Sequence, residues 1–187
     1  MRLIRCLLIV ALVATSVALS SSRVDATPET WLTPWAWTKT DPVYDQVNRG
    51  GSGDFTSITV QNGYALKLSF STRRAFDPEY SGVSFLLAFE GTPPGADLEV
   101  VITGYGHGGY PAADVYLPGT WPDNPLCSYP IRSWDGRNLT VALSNHEGCV
   151  ELGHAVRVRA FIGQGGDPWD VVPNSSWSPW IPSKINA

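Results

Sequence analysis

The sequence predicts an all-β chain, an antiparallel sandwich or barrel of about seven short strands. Three observations predict it. Glycine and proline are abundant, at 18 and 15 copies, while methionine occurs once and charged residues make up only 16% of the chain. Apolar and polar residues alternate with the two-residue period of a strand, and no stretch after the N-terminal leader shows a helical period. Turn chemistry punctuates the alternating runs in GTPPGA, YGHGGYP, PGTWPDNP and GQGGDP.

The first element is not part of the fold. MRLIRCLLIVALVATSVALSSSRVDA places Arg2 and Arg5 before an apolar run from Cys6 to Leu19 and ends on the small residues around Ala26. The run is about 14 residues, short of the ~20 a spanning helix needs. Residues 1–26 are therefore expected to be a secretory signal peptide cleaved after Ala26. Residues 27–53 follow as a Trp/Pro-rich arm, and residues 54–187 as the β-sandwich domain with a Trp-rich tail.

In DFTSITV and YALKLSF, separated by Gln61-Asn62-Gly63, Asn-Gly predicts a type I′ turn and a hairpin over 54–70. In its second strand Tyr64, Leu66, Leu68 and Phe70 should share the buried face. VSFLLAF (83–89) is apolar on both faces, as in a central strand. DLEVVIT (97–103) points Leu98, Val100 and Ile102 inward, and AADVYL (112–117) is a weaker strand. NLTVAL (138–143) turns Leu139, Val141 and Leu143 to one side. AVRVRAFI (155–162) turns Val156, Val158, Ala160 and Ile162 inward and Arg157, Arg159 and Phe161 outward. Residues 163–187 should pack onto the domain as an irregular arm.

The whole chain carries a net charge of −4. Loss of the leader removes three arginines and one aspartate, so the remainder is more acidic. An acidic chain without basic clusters argues against nucleic acid and anionic lipid as partners. No later stretch could span a membrane as a helix. After leader removal Cys127 and Cys149 remain, and in an oxidising compartment they are expected to form one disulfide. A thiol nucleophile or a metal ligand is the alternative, but neither cysteine has such a neighbourhood.

On a strand, Arg157 and Arg159 project from one side. Pro179 favours a polyproline-like path with three residues per turn, which puts Trp177 and Trp180 on one face. A tail running beside strand 155–162 would then interleave guanidinium groups with indoles, at about 0.5–1 kcal/mol per contact. The stretch Val156-Arg157-Val158-Arg159-Ala160, followed by Trp177-Ser178-Pro179-Trp180, resembles the end of a fibronectin type III domain, and in particular the membrane-proximal domain of class I cytokine receptors. Ile181 stands where that family's box has its second serine, and no four-cysteine domain precedes it. The resemblance implies an immunoglobulin/fibronectin type III-like sandwich and a role in recognising an extracellular protein. The W-x-x-W spacing also resembles thrombospondin-type repeats, where such a tryptophan accepts C-mannose, which would fall on Trp177.

Trp31, Trp35 and Trp37 form a second aromatic cluster that could grip a sugar face or plug one end of the sandwich. Trp121 lies in a loop. Tyr105, His107 and Tyr110 flank a glycine-rich loop that lacks the following helix of a phosphate-binding loop. Asn138-Leu-Thr and Asn174-Ser-Ser are N-glycosylation acceptors. No histidine pair has metal-ligand spacing, so no metal or other cofactor is expected. Asp167 and Asp170 could be imagined as a carboxylate pair, but no Gly-x-Ser-x-Gly elbow or Ser/His/Asp set supports catalysis. The expectation is a secreted, non-catalytic module that binds an extracellular protein. Its rivals are a lectin-like module using exposed tryptophans and a small glycosidase.

Overall fold

The computed structural model describes residues 29–42, 53–75, 82–103, 112–144, 149–164, 167–174 and 176–186 of the 187-residue chain. The expected signal peptide over 1–26 lies outside the described residues, as do Tyr105, His107 and Tyr110.

Alternation decides the architecture. Strands β3 (Phe55–Asn62) and β4 (Leu66–Thr72) bury Ile58, Val60, Leu66, Leu68 and Phe70 on one face. Strands β5 (Gly82–Phe89), β6 (Leu98–Thr103) and β7 (Ala112–Tyr116) bury Val83, Phe85, Leu87, Val100, Ile102, Ala113 and Val115. Strands β9 (Asn138–Leu143) and β10 (Val156–Gln164) add Leu139, Val141, Leu143, Val156, Val158, Ala160 and Ile162. Each set sits two residues apart, as a half-buried strand requires. Phe70 joins the two walls of the core. Its ring lies 5.7 Å from Phe55 and 6.2 Å from Phe85.

The chain is all-β and antiparallel, but it is not a seven-stranded sandwich. Eleven strands form one sheet in the order β1-β2-β3-β4-β9-β8-β7-β6-β5-β10-β11, which bends until it nearly closes. Four strands were not expected. The Trp-rich segment expected as an irregular arm forms the hairpin β1 (Glu29–Thr33) and β2 (Ala36–Thr40), with β2 paired to β3. Residues of the supposed C-terminal arm form β11 (Asp167–Val172), paired to β10. Strand β8 (Cys127–Trp134) was hidden by Pro130, which normally marks an edge or a bulge. Here Pro130 marks the corner. β8 pairs with β7 up to Pro130 and with β9 from Ile131, through an irregularity between Ile131 and Ser133.

Near-closure is secured by polar side chains. The Phe55 amide donates to Asp170 Oδ2 at 2.7 Å, linking β3 to β11, and Asp170 Oδ1 accepts from the Val171 amide at 2.8 Å. At the other end of β3, buried Asn62 donates through Nδ2 to the carbonyls of His154 at 2.8 Å and Ile181 at 3.0 Å. The expected Asn-Gly type I′ turn does not form. The loop is Gly63–Ala65, Asn62 pairs with Leu66, and Gly63 is absent from the glycines with positive φ. Burial of the Asn62 amide outweighs its local turn preference, because an unsatisfied buried amide costs about 1–3 kcal/mol. Tyr64, expected on the buried face, is consequently 77% exposed.

Cys127 and Cys149 form a disulfide pair with a Cα–Cα distance of 6.4 Å, fixing the start of β8 to the segment before β10. Among the described residues no helix is long and apolar enough to cross a membrane.

Candidate ligand groove and aromatic sites

The outer face of β2, β3, β4 and β9 follows from the inner one. Since Trp37, Ile58, Leu68 and Leu139 face the core, their neighbours Thr38, Thr59, Ser69 and Thr140 face out. These four lie in register across four adjacent strands. Thr38 and Thr59 hydroxyls are 2.9 Å apart, and so are those of Ser69 and Thr140. Thr30 on β1 and Ser133 on β8 continue the row at its ends. A second row, Thr40, Ser57, Ser71 and Asn138, runs beside it, with Ser71 Oγ donating to Asn138 Oδ1 at 2.6 Å. The face is therefore a track of hydroxyls about 4.8 Å apart from strand to strand.

A groove of about 420 Å³ opens at the turn end of this track. Two hairpin turns build it. Trp35 sits in the β1–β2 turn, and Tyr64 in the β3–β4 loop. The Asn62 backbone N–H donates to the Trp35 carbonyl at 2.8 Å, so one residue ties the turns together. Gln61 and Lys67, the next pair in the outer-face register, form the floor. The third wall is the C-terminal segment, where Lys184 opens a short 3-10 turn, Lys184–Asn186. Its Nζ lies 5.2 Å from the Trp35 ring centre and 5.5 Å from that of Tyr64. The volume falls within the usual range of small-ligand sites.

The other expected residues fall in several places. Trp37 is fully buried beneath β2, so it contacts no ligand, and the coplanar trio of Trp31, Trp35 and Trp37 does not form. Trp31 lies in β1 opposite Trp37. Trp121 is exposed in the β7–β8 loop with Leu117 and Leu126. Asn138 and Asn174 are exposed, and Asn138 Nδ2 donates to Asp135 Oδ2 at 2.9 Å. Asp170 is buried, with both oxygens accepting backbone amides. Among the described residues no three His, Cys, Asp or Glu side chains gather as a metal site.

The tail runs beside β10. Val156 and Ile181 exchange backbone hydrogen bonds of 3.0 and 2.8 Å, and Ser178 donates its amide to the Val158 carbonyl at 2.9 Å. Ser178 Oγ accepts from the Val158 amide at 2.9 Å. The Arg157 guanidinium lies between two indoles, 5.0 Å from Trp177 and 4.9 Å from Trp180. Arg159 does not join them. Its guanidinium lies 5.2 Å from the ring of Phe161 on its own strand.

Tyr64, Lys67, Gln61 and Lys184 were not legible as site residues. Tyr64 looked like a strand position, and nothing in the sequence connects Lys184 to a turn some 120 residues earlier. Comparison with protein-family models, curated proteins and solved structures finds no match.

Proposed function

We propose that the chain is a secreted, non-catalytic carbohydrate-binding module, which holds a sugar chain in the groove between Trp35 and Tyr64 and along the hydroxyl track beyond it. The observation that carries this reading is the pair of aromatic rings opening onto an outward row of Thr and Ser side chains. Sugars present apolar CH faces, which suit aromatic rings, and a rim of hydroxyls, which suits polar side chains. Both kinds of partner are present and contiguous. The two turns are fixed to the domain through Asn62, so little ordering is needed on binding. A track several strands wide favours a chain over a single sugar.

The test is calorimetric titration of residues 27–187 with di-, tetra- and hexasaccharides. Affinity should rise with length, and Trp35→Ala should weaken it about tenfold, the loss expected for one stacking ring. Absence of binding by every length would refute the reading.

A second reading, recognition of an extracellular protein, is favoured by a different observation. Leu117, Trp121 and Leu126 are exposed on one loop, 52%, 44% and 51% respectively, next to the disulfide at Cys127. Large apolar side chains on an anchored loop are a common core for protein contacts. The stack of Arg157 with Trp177 and Trp180 supports the same reading only as a local likeness to the tail of fibronectin type III receptor domains, whose seven-stranded sandwich this sheet does not form.

A further inference from the structure

We infer that the groove selects an acidic sugar, with Lys184 acting as a built-in stand-in that the ligand displaces. The inference rests on the carbohydrate reading of the groove and adds the chemical class of the ligand.

Lys184 now covers the surfaces a sugar would use. Its ammonium group lies over both Trp35 and Tyr64. A neutral sugar entering between the rings must remove this cation and offers it only uncharged hydroxyl acceptors in return. A sugar bearing a carboxylate or a sulfate gives the ammonium a new partner in the same place. Lys67 lines the same groove, its side chain exposed on the adjacent strand. Two lysines therefore converge on one small space in a chain whose net charge is −4. General attraction of anions by the whole molecule is excluded by that sign, so any preference must arise locally. The Lys184 side chain is exposed, at the first position of a three-residue 3-10 turn.

The arrangement has a signature that a purely structural lysine would lack. Removing the Lys184 charge should have opposite effects on two ligands. Neutral sugars gain access to uncovered rings, whereas acidic sugars lose an ion-pair partner.

The experiment uses residues 27–187 and four probes, three of them tetramers of equal length. These are a galacturonate tetramer, its carboxyl-reduced neutral counterpart, a sulfated galactose tetramer, and inorganic sulfate to report bare anion binding. The wild-type chain should bind one or both acidic tetramers about tenfold more tightly than the neutral one in low salt, an advantage that shrinks as salt is raised. Which acid binds identifies the acidic group. Lys184→Gln should weaken the acidic tetramer and strengthen the neutral one, narrowing the ratio severalfold. Lys67→Gln should lower acidic binding without strengthening the neutral tetramer. Equal affinity for acidic and neutral tetramers would overturn the inference while leaving the carbohydrate reading intact. So would an unchanged ratio in Lys184→Gln, or binding of inorganic sulfate as tight as that of the sulfated tetramer. Failure of all tetramers to bind would remove both.

Discussion

Arg157 and Arg159 show how much one residue's surroundings matter. Two outward arginines on one strand looked equivalent, and both were expected to stack on the tail. The tail crosses β10 only from Val156 to Val158, where Ile181 and Ser178 make their hydrogen bonds. Beyond that point β11 takes over the edge, beginning at the pair Ala160 and Val172. Arg157 therefore lies between two indoles, and Arg159 turns to Phe161. With about 0.5–1 kcal/mol per contact, Arg157→Ala should lower stability by about 1–2 kcal/mol and Arg159→Ala by about half that. Urea unfolding of both variants checks this, and equal losses would show that the stack adds nothing beyond a single cation–π contact. The parity of the strand was legible in the sequence. The handover of its edge from tail to β11 was not, because that depends on where two distant segments compete for the same backbone groups.

At the scale of single elements, alternation located the strands built from strong apolar runs, and their inward faces agree with the core. It failed where a strand carries its meaning in pairing. β8 contains a proline and is mostly exposed, yet it turns the corner between β7 and β9. β1, β2 and β11 each contain a tryptophan, and prolines lie at Pro34 between the first two and at Pro168 in the third, which suggested arms, yet each extends the sheet. The β8–β9 hairpin also shows how a turn is set by its side chains. Asp135 Oδ1 accepts from the amides of Arg137 at 3.0 Å and Asn138 at 2.7 Å, while Gly136 supplies a φ of 91°. The Asn138 side-chain amide, followed by these backbone amides, lowers the Asp135 carboxyl from its ordinary 3.8 to about 2. A depressed carboxyl supports the folded turn above 3.8, and that support is lost as pH falls toward 2. The Asn138 amide resonance should therefore shift with a midpoint near 2, and Asp135→Asn should abolish the transition. A midpoint at the ordinary carboxylate value would mean that the turn does not hold the charge.

For the molecule as a whole, an antiparallel all-β chain was legible from composition and punctuation, but near-closure into one eleven-stranded sheet was not. Closure depends on Asn62 and Asp170, polar residues whose partners lie 92 to 119 and 115 positions away. Their burial cannot be read locally. Asn62 was expected only to make a turn, and Asp170 was expected in an irregular arm, where it could at most be imagined as a carboxylate pair with Asp167. The groove emerges at this same scale. Its tryptophan was noticed in the sequence, but Tyr64 and Lys184 reach it only because closure brings together two turns and the segment that carries Lys184. The proposed function therefore rests on a surface made by long-range packing, with Trp37 held inside and Trp35 left at its rim.

The most direct measurement follows the indole N–H resonances of residues 27–187 as an oligosaccharide is added, with the Trp35 signal assigned through Trp35→Phe. Binding in the groove predicts that the Trp35 resonance moves in step with ligand occupancy while that of buried Trp37 stays in place. Movement of the Trp121 resonance with Trp35 unchanged, or no movement at all on adding any sugar, would contradict a carbohydrate site in this groove.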